Sequence, residues 1–168
     1  MKLSTMHDLF VAQLRDIYSA EQQITKALPK LARAAANATL AEAFRSHLLE
    51  TEGQIGRLET IFGILDVSSR GPKCKGMEGL LAEGADTVRA EGANEVIDAG
   101  LIADAQRVEH YEISAYGSAK ALAALLGYKQ IGMLLEETEV QEVATDMKLT
   151  AIALNEVNPA ALGMHAAA

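Results

Sequence analysis

Glu21, Glu112 and Glu142 each stand in the middle of an otherwise apolar helical series. Around Glu112 the series steps in alternating fours and threes through Leu101, Ala105, Val108, Glu112, Ala115, Ala119, Leu122 and Leu126. That spacing marks one face of an α-helix turned toward a core. Glu21 interrupts the series Leu3, His7, Phe10, Leu14, Ile17, Glu21, Ile24, Leu28, Leu31, and Glu142 interrupts Ile131, Leu135, Thr138, Glu142, Thr145, Leu149, Ile152. A fourth series, Leu40, Phe44, Leu48, Thr51, Ile55, Leu58, Phe62, Leu65, is broken by Thr51, with His47, Glu50 and Gln54 on its flank. Glu50, Glu109 and Asp146 border the same depth.

A carboxylate on a buried face is costly unless it is protonated, paired or bound to a metal. Several in one layer repel one another if all ionise, so protons or a multivalent cation must compensate them. A carboxylate-rich oxygen set is hard and suits iron or manganese. Dinuclear centres in helical bundles take one Glu from each of two helices and a Glu-x-x-His pair from each of the other two. No Glu-x-x-His occurs here, and His47-x-x-Glu50 runs in the reverse order. The candidate pairs on the second and last long helices are therefore Glu50 with Gln54 and Glu142 with Asp146, each four apart. His7, His110 and His165 read as non-ligands. The plainer alternative is a polar core layer that sets helix register, or a set of inter-subunit salt bridges.

Five elements must position these residues. A helix over 5–35 opens on a Thr5/Asp8 cap and is loosened near its end by Pro29. A helix over 40–65 opens on a Thr39/Glu42 capping box, with Gly53 and Gly56 leaving room for a close helix neighbour. The Gly-, Pro- and Ser-containing loop 66–76 leads to a short helix over 77–91. Long helices over 94–126 and 128–157 follow, with Gly127 as a C-cap between them and Asn158-Pro159 as the stop. The tail 158–168 is expected to fray. The loop and short helix are long enough to carry the chain along the bundle, so the second and third long helices can run parallel. Tyr18 and Tyr116, each within a turn of a candidate glutamate, read as core residues with satisfied hydroxyls. Met77, Met133 and Met147 read as core filler. Glu136, Glu137 and Glu139 read as a solvated face. Cys74, between Lys73 and Lys75, could have a lowered thiol pKa.

The 168 residues suffice for one domain, 1–168, with a sizeable core. Three prolines, 4% aromatics and no tryptophan favour helices over sheets. A net charge of −8 excludes binding of bare nucleic acid by bulk electrostatics. The single cysteine excludes an intrachain disulfide and a cysteine-rich metal site. No apolar run of ~18 residues is present to span a membrane, and the N-terminus lacks a signal-like apolar stretch, so a cytoplasmic location is expected.

The segments YSAEQQI (18–24), HLLETEGQI (47–55), KCKGMEGL (73–80), VEHYEISAYG (108–117) and ATDMKLTAIA (144–153) resemble the YciE/YciF-like proteins of the ferritin-like superfamily, in order and over nearly the whole chain. The resemblance implies an all-α, ferritin-like four-helix bundle with a short extra helix in the crossover, a homodimer, and a link to bacterial stress responses. It also implies a dinuclear iron or manganese site drawing on Glu21, Glu50, Glu109, Glu112, Glu142 and Asp146, with Gln54 where many relatives carry His. Peroxide consumption or iron oxidation is the activity such a site would suggest. A non-enzymatic homodimer that binds a partner under stress is the rival reading, and a DNA-protecting shell fits the acidic charge least.

Overall fold

The computed structural model describes residues 3–163. Four long helices, α1 (Met6–Ala34), α2 (Ala38–Leu65), α4 (Asn94–Leu125) and α5 (Lys129–Ile152), pack around a common core, and a shorter α3 (Lys75–Arg89) lies in the connection between α2 and α4. The chain continues through a π-helical turn (Ala153–Val157) into a final short α6 (Asn158–Ala161). No strand occurs among the described residues.

The core divides into two apolar slabs. Phe10, Leu14, Leu58, Phe62, Ala123 and Ile131 meet at one end. Leu28, Leu40, Phe44, Leu101, Leu149 and Ile152 meet at the other. These groupings run α1 antiparallel to α2 and to α4, and α4 antiparallel to α5. Helices α2 and α4 therefore point the same way, as the long crossover through α3 requires.

Local chemistry sets the ends. Thr5 and Asp8 form the expected capping box, each side chain taking the other's backbone N–H. The start of α2 differs from expectation. Asn37, not Thr39, caps it, accepting the Leu40 N–H at 2.9 Å. Asn37 itself is held because the buried Asp98 of α4 accepts the N–H groups of Ala36 and Asn37 at 2.9 and 2.7 Å. Gly127, at φ +76°, closes α4: its own N–H reaches the Ala124 carbonyl and the Tyr128 N–H reaches the Ala123 carbonyl. The short helix begins two residues earlier than expected, with the Cys74 sulfur accepting the Met77 N–H at 3.4 Å.

Asn158-Pro159 does not stop the helix. The widened π turn precedes it, and Pro159 falls in the first turn of α6, where a proline's missing N–H costs nothing. The expected frayed tail is helical to Ala161 and ends in a turn at 162–163; residues 164–168, with His165, lie outside the described residues. Met77 is core, as expected, but Met133 and Met147 are 71% and 66% exposed, because they lie on α5 opposite its buried stripe. Gly53 and Gly56 face open space rather than a neighbouring helix.

Asp98→Ala removes two charge-assisted hydrogen bonds that close the α1–α2 turn. It should lower unfolding free energy by about 3 kcal/mol, read as a lower urea midpoint with the slope unchanged.

Candidate metal centre

Between the two apolar slabs lies a polar layer to which every long helix contributes. Glu21 comes from α1; His47, Thr51 and Gln54 from α2; Glu109 and Glu112 from α4; Thr138, Glu142 and Thr145 from α5. All of these are buried, and Glu21, Thr51, Gln54 and Glu142 have no exposed surface at all.

On α5 the expected stripe is the buried one at every position. On α2 the stripe runs through Phe44, His47, Thr51, Gln54 and Leu58, so the expected members Leu48 and Ile55 lie half-buried beside it. Taking the three-residue step before the four-residue step after Phe44 turns His47 and Gln54 inward together. On α4 the opposite slip follows Glu112, four before three, so Tyr116 and Ala123 are buried instead of Ala115 and Leu122.

One donor atom from each of His47, Glu109, Glu112 and Glu142 lies within 4.8 Å of the others. His47 Nε2 stands 3.5 Å from Glu109 Oε1 and 3.8 Å from Glu142 Oε2. Its other nitrogen, Nδ1, is 3.5 Å from both Glu50 Oε2 and Thr145 Oγ1. Glu50 therefore reaches the layer from outside, through the imidazole. Gln54 donates to Glu142, and Tyr116 donates to Glu21. Arg57 stands beside the layer, donating to Thr138 at 3.1 Å and Gln141 at 2.9 Å.

Burial pushes the Glu21 carboxyl up to about 8, and the Glu142 charge adds to the rise against the pull of the Tyr116 hydroxyl. Burial, then mutual repulsion, holds Glu109 and Glu112 well above the carboxylate range. Burial raises Glu142 as well, opposed by His47 and by the Gln54 amide. The phenol of Tyr116 is pushed up by burial and the adjoining carboxylates.

The donor set fits a metal ion by its unused capacity. Glu21 Oε2, His47 Nε2, Glu109 Oε2, both oxygens of Glu112 and Glu142 Oε2 are buried with no hydrogen-bond partner. Such atoms are costly in a protein interior. Ligand atoms on opposite sides of an ion with bonds of about 2.1 Å lie about 4.2 Å apart, close to the spread of the four-residue cluster.

Of the candidate residues, Glu109, Glu112 and Glu142 stand in that cluster, and Glu21 borders it on the α1 side. Gln54 contacts Glu142, and Glu50 is half-exposed behind His47. Asp146 lies apart, accepting from Gln106 at 2.9 Å, with the exposed His110 3.5 Å away. His47 is a donor that the Glu-x-x-His spacing does not capture, because its acidic neighbour, Glu50, follows it in sequence. The signal available was its place in the stripe 44, 47, 51, 54, 58. Tyr18 donates to Glu59 at 2.8 Å, away from the layer. Cys74 is buried, and burial raises its thiol, reversing the expected lowering by the neighbouring lysines. Its surroundings are Asp16 and Tyr111, not Lys73 and Lys75. Glu136 and Glu137 are solvated as expected, whereas Glu139 is half-buried and paired with Lys120.

Two antiparallel helix pairs joined by a long crossover, with a buried His/Glu cluster between apolar slabs, define a ferritin-like bundle. Comparison with known proteins agrees. Residues 5–162 match the family described as Domain of unknown function (DUF892), and the chain belongs to that family. It is 48% identical over 159 residues to YciF of Escherichia coli strain K12, covering 94% of this chain and 96% of that protein. The solved structure of YciF, described as an E. coli stress protein, superposes with a TM-score of 0.90 over 93% of this chain and 99% of that one. YcfI of Rhodopseudomonas palustris, at 43% identity, gives 0.88 over 90% of this chain and 97% of its own. A Xanthomonas campestris protein at 17% identity shares the fold, with a TM-score of 0.72 over 95% and 94% of the two chains. Among the described residues no helix is long and apolar enough to cross a membrane.

The titration of the layer is testable. Folded Glu21 titrates near 8 against an ordinary value of 4.5. Between those values the native chain keeps a proton that the unfolded chain releases. Stability of the metal-free protein should therefore be greatest below about pH 4.5 on this account and fall as pH rises toward 8, by up to about 1.4 kcal/mol per pH unit for each such group. Glu21→Gln should flatten the profile measured by chemical denaturation at stepped pH.

Proposed function

We propose that this chain is a metal-binding, ferritin-like stress protein whose buried layer holds a dinuclear iron or manganese centre. The observation that carries the reading is the set of buried, unpartnered carboxylate oxygens facing the equally unpartnered His47 Nε2. His47, Glu109, Glu112 and Glu142 are the donors for one ion. Glu21, with the remaining oxygen of Glu112, extends the set toward a second. Glu50 supports the set from the α2 side, through Nδ1 of His47.

When bound, such a centre would supply redox chemistry toward peroxide or dioxygen, which fits a protective role in a chain similar to YciF, described as a stress protein. The chain's own residues prepare the site. The Tyr116 hydroxyl fixes the rotamer of Glu21 and leaves its second oxygen free. The Gln54 amide does the same for Glu142. Glu50 and Thr145 at Nδ1 of His47 leave Nε2 turned inward. The slabs above and below exclude water, which strengthens every charge interaction in the layer. The oxygen-rich, thiolate-free set favours iron or manganese over softer ions.

A second reading, a non-enzymatic helical homodimer that acts as a scaffold, draws support from α5. Met133, Val140 and Met147 recur at seven-residue intervals on its outer face, Leu154 of the π turn follows at the same interval, and all four are more than 60% exposed. In that reading the polar layer sets helix register only.

Metal content separates the two. Protein purified without chelator or affinity tag should carry close to two iron or manganese ions per chain by mass spectrometry. Glu21→Ala/Glu112→Ala should lose them while remaining helical, and His47→Ala should hold them more weakly. Absence of stoichiometric metal after loading with either ion would favour the scaffold.

A further inference from the structure

On the outside of the bundle, away from the carboxylate layer, α1, α3 and α4 enclose a cleft of about 450 Å³. None of the layer's residues lines it. Its floor is apolar, formed by Leu31, Leu80, Leu81, Val88 and Val108. The leucines and Val88 are only half-buried, so the crossover helix leaves this surface incompletely covered. The volume is that of a small-molecule pocket, too small for the groove of a partner helix.

The rim is cationic in a chain of net charge −8. Lys26, Lys30, Lys73 and Arg89 line the cleft, against Glu78 and Asp104. Lys73 is paired with Glu78, Arg89 with Asp86, and Asp104 with Arg107. Lys26 and Lys30, one helical turn apart on α1, have no carboxylate within 4 Å among the described residues. An uncovered apolar floor beneath two uncompensated ammonium groups is complementary to one class of molecule.

We infer that this cleft binds an amphipathic monoanion, a medium-chain fatty carboxylate, with its headgroup between Lys26 and Lys30 and its alkyl chain along Leu80, Leu81 and Val88. The alkyl chain gains by leaving water, at about 25 cal/mol per Å² of apolar surface buried. The carboxylate gains two ammonium partners near the surface. The site is independent of any metal in the layer.

The test is displacement of a fluorescent dansyl-undecanoate probe from the full chain by decanoate, decanol or decyltrimethylammonium, below their micellar concentrations. Decanoate should compete at one site per chain, decanol several-fold more weakly, and the cation not at all. Lys26→Gln/Lys30→Gln should weaken decanoate by about five- to tenfold, the effect of losing two exposed ion pairs, and leave decanol unchanged. Ala85→Trp, which fills the cleft, should weaken both. Thermal melts establish that the variants fold, and the headgroup comparison on the unmodified chain decides alone if either does not. No saturable binding, equal competition by decanoate and decanol, or binding untouched by both substitutions in folded protein would overturn the inference.

Discussion

Four glutamates buried in one layer of a helical bundle cannot all be ionised without a compensating charge. Glu21, Glu109, Glu112 and Glu142 are buried almost completely; burial raises the titration of each, and repulsion from the other carboxylates adds to it at Glu21, Glu109 and Glu112. Among the described residues, only His47 and the neighbouring Arg57 stand beside the layer to set against them. The rest of the fold is arranged around that constraint. Two apolar slabs lie on either side of the layer and supply the burial that holds it in place. Tyr116 and Gln54 satisfy one oxygen each of Glu21 and Glu142 while leaving the second free. The layer is compensated by protons or by metal, and its pH dependence distinguishes the two.

The crossover explains why the layer closes. Glu109 and Glu112 face Glu142 and His47 at one depth, with α2 and α4 parallel and each antiparallel to its hairpin partner. The segment 66–93, with α3 at its centre, carries the chain the length of the bundle to achieve this. Cys74 anchors its beginning: its N–H donates to Ser19 and its carbonyl accepts from Gln23 of α1. Asp98 fixes the other hairpin turn from α4. These are backbone contacts between residues far apart in sequence, and composition could not show them.

The bundle, its five main helices and the depth of the three mid-stripe glutamates were legible in the sequence, because periodicity and capping residues record which face of a helix is buried. Glu142 shows this best, since every member of its stripe is buried. What was not legible turned on a single step of three or four residues. A stripe through Phe44 can continue to His47 or Leu48, and hydrophobicity favours the leucine. The structure chooses His47 because Glu109 and Glu142 face it across the layer. The same ambiguity after Glu112 hid Tyr116. Met133 and Met147 were misplaced for a related reason: apolar residues on an outer face look like core when only composition is weighed.

The resemblance to YciF extends through nearly the whole chain, and the description of the family that this chain belongs to carries no reaction. The physical claim that would support a reaction is narrower: carboxyls held protonated by burial give up those protons when a cation enters. Calorimetric titration of the metal-free chain with manganese at pH 6.5, in buffers of differing ionisation enthalpy, tests it directly. Saturable binding is expected, with an apparent enthalpy that varies with buffer and reports net proton release, lost in Glu112→Gln. A buffer-independent enthalpy, or no saturable heat with folded protein, would contradict it.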